Sequence, residues 1–189
     1  MARSLIFDAT APGFMEQWQR LDWQLLQNSN VHRYDTANEM DQTAALLAEL
    51  GYTVYRLDAG NWQHEKEMHA ILAAKLNFPE YYGHNLDALN DSLRDVAEYR
   101  YGSDPKATGT VLVLNRFELF AQHNFELAHT FLDIFASNAR HGLIVGHPMF
   151  CLISSQLDFP PVGATAVERA PASPLIADSN AADKLTDSI

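Results

Sequence analysis

Within FPEYYGHNLDALNDSL, residues 78–93, the side chains able to do chemistry fall in a line. Leu86, Leu89 and Leu93 recur three and four residues apart, as the buried stripe of a helix does. Asp87, Asn90 and Asp91 lie off that stripe, and Asp95 follows one turn further along the same side. Two carboxylates four residues apart can share a proton or hold a divalent cation. Hydrolytic sites of that kind, however, gather acids from several elements into a concavity, whereas these line one helix face. As plain solvated charges they need little explanation, and Asp87 in the first turn also complements the helix dipole. Two features point further. Tyr81 and Tyr82 come immediately before the helix, and aromatics beside charge are what interface centres contain. From Glu80 to Glu98 the acids Glu80, Asp87, Asp91, Asp95 and Glu98 meet only Arg94 as a cation. Carboxylates at helical spacing imitate the phosphates of a nucleic-acid chain and suit an Arg/Lys/His cleft such as a nuclease carries.

Other reactive residues point nowhere so definite. The sequence has no G-x-x-x-x-G-K-[ST] or G-x-G-x-x-G phosphate loop and no G-x-S-x-G nucleophile turn. His64, Glu65 and His69 come nearest to a metal motif, but two histidines five apart do not share a helix face as i,i+4 ligands would. No metal or cofactor is expected. The single cysteine, Cys151, lies in the apolar run MFCLIS and reads as a buried, inert thiol. It allows no disulfide within the chain and suits a reducing cytoplasm.

The formal net charge is −11, from 24 acidic and 13 basic side chains. That balance argues against direct nucleic-acid binding and would steer a cationic protein partner. No apolar run approaches the ~18 residues of a membrane-spanning helix. The N-terminal MARSLIFDATAPGF lacks the uninterrupted apolar segment of a secretory signal, so a cytoplasmic protein is expected, and with this net negative charge a monomer is the plainer expectation.

The elements that must position the acidic helix are mostly readable. DWQLLQ and VHRYD read as two short strands joined at NSN. Thr36 with Glu39 is a capping-box pattern opening the helix ANEMDQTAALLAEL, which Gly51 closes. YTVYRL reads as a strand, EKEMHAILAAKL as a helix ended by Pro79, and residues 85–98 as the acidic helix. YRYGSDPKATG is a breaker cluster, and TVLVLN is apolar throughout, like a strand buried on both faces. A short and then a long helix follow, the long one with the polar stripe Glu126, Thr130, Asp133, Ser137 and Arg140, ended by Gly142. MFCLIS is the last strand. Alternating strands and helices predict an α/β fold with a small three-stranded parallel sheet at 53–58, 110–115 and 149–154. The expected division is an N-terminal extension over 1–51, a core domain over 52–157, and a flexible tail over 158–189, where Pro, Ala and Ser accumulate.

PEYYGHNLDALNDSL resembles the signature PEYYG-x-NLDALxD-x-L of the barstar family, inhibitors and immunity proteins of barnase-type, guanyl-specific ribonucleases. The similarity extends back through EMHAILAAKLNF to YTVYRL and forward through TVLVLN, FELF, the long helix and MFCLIS. The resemblance implies a barstar-like fold and a binding protein, not an enzyme, that blocks a ribonuclease active site with its acidic helix. By position it makes Tyr81, Asn85, Asp87 and Asp91 contact residues and Gly83 the turn glycine. Asn90 stands where the family has a tryptophan, and Ser137 where it has a glutamate on the last helix. Asp133, one turn earlier on the same stripe, is the alternative acid, and Asp95 extends the acidic row. His84 replaces an acid, the loop after the acidic helix is longer, and GHP is inserted before the last strand. The other reading is a barstar-like interaction module that binds a different cationic partner without inhibiting a nuclease.

Overall fold

The computed structural model describes residues 19–163 together with the backbone of residues 168–169. In chain order the elements are α1 (Leu21–Leu26), β1 (Val31–Tyr34), α2 (Ala37–Glu49), β2 (Thr53–Asp58), α3 (Glu65–Leu76) and α4 (Leu86–Ala97). They continue with β3 (Thr110–Asn115), α5 (Phe117–His123), α6 (Phe125–Ile144), β4 (Met149–Ser154) and the two-residue β5 (Glu168–Arg169). The strands form one parallel sheet in the order β2-β3-β4-β1-β5. The α/β class and the three expected strands are present, but the sheet has five strands rather than three.

Side chains alternate across a strand, and here both faces are used. Val111, Val113, Phe150 and Leu152 point to one face and pack with Trp23, Leu25, Met40, Ala44 and Leu47 of α1 and α2. Leu112, Leu114, Cys151 and Ile153 point to the other and join the larger core under α3, α4, α5 and α6. Burial on both faces is why TVLVLN and MFCLIS carry no polar alternation.

Three sequence readings are corrected. DWQLLQ is helical, not a strand, and VHRY pairs parallel with β4 rather than in a hairpin. The Asp22 carboxylate, wholly buried, accepts from Arg20 Nη2 (2.8 Å), from the Trp23 backbone N–H (3.0 Å) and from Tyr52 Oη (3.0 Å). The tertiary bond from Tyr52, with the two local ones, overrides the strand propensity of Trp23. Gly142 does not end α6, which runs on to Ile144. A Cβ at Gly142 would stand 2.6 Å from the His147 carbonyl oxygen, so glycine is there for close approach; Gly146, at φ +74°, is the left-handed residue after the helix. The Thr36 cap is as expected, its hydroxyl accepting from the Glu39 N–H.

Of the segment expected to be a loose tail, residues 158–163 are described: Val162 and Gly163 are buried and Phe159 half-buried, while Asp158, Pro160 and Pro161 are exposed. Apart from the backbone of 168–169, the rest of that expectation lies outside the described residues, as do residues 1–18 of the N-terminal extension. Among the described residues no helix is long and apolar enough to cross a membrane.

Candidate protein-binding surface

The approach to α4 is a tight turn in which Tyr82 N–H donates to the Pro79 carbonyl (2.9 Å). Tyr82 turns inward, 4.9 Å from the Phe78 ring, and its hydroxyl bonds to Nδ1 of the buried His69, whose Nε2 meets Glu65 Oε1 at 3.2 Å. Burial lowers the His69 pKa and raises that of Tyr82. With Tyr82 anchored, Tyr81 is forced outward and is 84% exposed. Gly83 is not left-handed; His84 takes that conformation, at φ +50°. Glycine at 83 instead relieves crowding, since a Cβ would lie 3.2 Å from Asn85 Nδ2 and 3.3 Å from Ala88 Cβ. Asn85 is the N-cap, its Oδ1 accepting from the Ala88 N–H at 2.8 Å.

Along α4, Leu89, Leu93 and Val96 are buried, and Asp87 and Asp91 are exposed at i,i+4 spacing. Neither carboxylate has an ion-pair or hydrogen-bond partner among the described residues. The other acids of the row are engaged. Asp95 accepts from Tyr101 Oη (3.1 Å) and pairs with Arg100 (3.3 Å). Glu98 pairs with Arg100 (2.9 Å) and His141 (2.9 Å), and the hydrogen bonds from His141 and Arg100 hold its carboxyl below the usual carboxylate range. The unneutralised charge of α4 is therefore concentrated in its first two turns.

The neighbouring helix α6 runs beside α4. Asn90 Oδ1 accepts from the buried Asn138 Nδ2 at 2.9 Å, which fastens the two helices together. Asp133 is exposed, but its Oδ1 accepts the Gly163 N–H at 2.6 Å. Ser137 is half-buried on the same side of α6.

The sequence reading missed five participants: Arg100, Tyr101, Asn138, His141 and Gly163. The first two sit in a segment read only as a breaker, and nothing local marks the others. Among the described residues no group of three His, Cys, Asp or Glu side chains is placed to hold a metal ion. Cys151 is buried, and burial pushes its thiol pKa up.

What these elements define is a parallel α/β protein that presents an exposed aromatic and two unpaired carboxylates from one turn and helix. A family model described as barstar (barnase inhibitor) matches residues 52–154, more than half of the chain. The chain belongs to the barstar family. No curated protein matches it.

Proposed function

We propose that the protein inhibits a ribonuclease of the barnase type, or a related one, by inserting α4 and the preceding turn into its active site. Asp91 takes the place of a substrate phosphate among the enzyme's Arg and His side chains. Asp87 pairs with a second cation, Tyr81 packs against a ring of the site, and the Asn85 cap holds the start of α4 in place. The protein acts as a monomeric, cytoplasmic binding protein and has no catalytic role, cofactor or direct contact with nucleic acid. One observation carries this reading: on a helix where Asp95 and Glu98 are neutralised internally, Asp87 and Asp91 are exposed and unpartnered. Exposed like charges four residues apart cost a helix a few tenths of a kcal/mol, which a cationic partner would offset.

A second reading has its own observation. Asn90 presents a polar group, bonded to Asn138, at the middle of the surface where a large apolar contact stands in the family. That favours a barstar-like module with a different cationic partner. Titrating RNA cleavage by a barnase-type ribonuclease separates the two. Inhibition that saturates at one equivalent supports the first reading. Uninhibited cleavage at a large excess of the protein rejects it for this enzyme and leaves the second.

A further inference from the structure

After β4 the chain turns back across α6. Arg33 Nη1 donates to the Ser155 carbonyl (3.1 Å), and Phe159 stacks on Phe125 with ring centroids 5.4 Å apart. His129 Nε2 meets the Pro161 carbonyl at 3.3 Å, and Val162 is fully buried. At Gly163 the backbone lies directly on the helix. Its N–H reaches Asp133, its φ is +54°, and a Cβ there would stand 2.8 Å from Ala136 Cβ and 3.3 Å from the Ser137 nitrogen. Conformation and space both require glycine at this point, so the contact is close-fitting. It falls on the one turn of α6 that carries Asp133 and Ser137, the two positions at which the family resemblance would place a partner contact on this helix.

Resting on the inhibitor reading above, we infer that residues 159–163 form a strap that closes the α6 side of the surface. Asp133 anchors the strap instead of meeting a partner, and the partner is confined to α4 and the Tyr81 turn. The strap thereby selects partners whose footprint does not extend onto α6, and it accounts for the absence of an acid at Ser137.

Cys151 is the single cysteine of the chain and is buried, so Ser137→Cys in the full-length protein introduces one accessible thiol whose maleimide labelling reports on the strap. Labelling is expected to be slow, and about tenfold faster when Gly163→Val or the milder Asp133→Ala loosens the contact. Equal rates in all three proteins overturn the closure. In the ribonuclease titration, Asp133→Ala is expected to weaken inhibition far less than Asp91→Ala; comparable losses would make Asp133 a partner contact and sink the proposal. Should the wild-type protein inhibit no ribonuclease, the functional reading falls and the labelling rates alone decide the strap.

Discussion

Asp91→Ala separates interface from fold, because in the free protein Asp91 is exposed and unpartnered. Its removal should change the stability of the isolated protein by no more than about 0.5 kcal/mol, as for surface substitutions away from caps and networks. In the proposed complex the same carboxylate would be desolvated against a cation, and truncation would leave that cation buried and unpaired. Such losses run to about 2–5 kcal/mol, a range to which the barnase–barstar complex itself contributes. Each 1.4 kcal/mol is tenfold, so the inhibition constant should rise about 30- to 4,000-fold. Asp95→Ala is the internal control. It removes an acceptor for Tyr101 Oη and a partner for Arg100, so it should cost about 0.5–1.5 kcal/mol of stability and much less inhibition. The assay pairs urea denaturation of each variant with titration of a fixed ribonuclease concentration in an RNA-cleavage progress curve. The reasoning is refuted if Asp95→Ala abolishes inhibition while Asp91→Ala leaves it intact, or if Asp91→Ala is the less stable of the two.

Three other outcomes are expected. Tyr81→Ala, at a residue 84% exposed, should leave stability unchanged while weakening inhibition by about 1–2 kcal/mol, read from the same two measurements. Asn90→Trp should cost about 1–3 kcal/mol in urea denaturation, because it deprives the buried Asn138 of an acceptor, yet tighten inhibition by restoring an apolar contact; weaker inhibition would count against the placement of Asn90 at the interface. The third concerns pH. Burial lowers the pKa of His32 from 6.5 to about 4; its Nε2 faces the Ser29 carbonyl and its Nδ1 has no hydrogen-bond partner among the described residues. Between those values the unfolded chain binds a proton that the folded protein refuses, so stability falls as pH drops from about 6.5 to about 4. The full loss from this group is about 3 kcal/mol, and His69, also lowered by burial, adds in the same direction. Urea midpoints measured across that range should fall less steeply for His32→Gln, and an unaltered slope would remove His32 as the cause.

What was legible in the sequence was local. The cap at Thr36, the apolar spacing of Leu86, Leu89 and Leu93, and the unbroken runs TVLVLN and MFCLIS each state their own element, and the structure realises all of them. What escaped depends on residues far apart in the chain. The helical state of DWQLLQ rests on Asp22 meeting Tyr52, thirty residues on. The pairing of His32 with Leu152 is invisible to any window of sequence. The acidic row read as five comparable charges because Arg100 and Tyr101 lay in a segment known only as a turn; folding brings them back onto Asp95 and Glu98 and leaves the charge uneven. Gly142 read as a terminator because glycine ends many helices, although here it serves a neighbour's carbonyl.

The family match begins at residue 52, yet the packing does not respect that boundary. Val111, Val113, Phe150 and Leu152 are shielded on their face by α1 and α2, which precede it. Fully burying one such side chain is worth about 1.5–3 kcal/mol, so the four together represent roughly 6–12 kcal/mol, comparable to the entire stability of a domain. Residues 19–51 are thus part of what holds the sheet, and they do so from the face opposite α4. This arrangement divides the candidate residues by their freedom to vary. Asn90, Asp95 and Asp133 are tied to Asn138, Tyr101 and Gly163, and changing them disturbs the contacts between helices, loop and strap. Tyr81, Asp87 and Asp91 point away from both cores, so substitution there alters what the surface can bind at little cost to the fold. Selection for a new partner would act first on those three, and on the inhibitor reading it is on them that the choice of ribonuclease should depend.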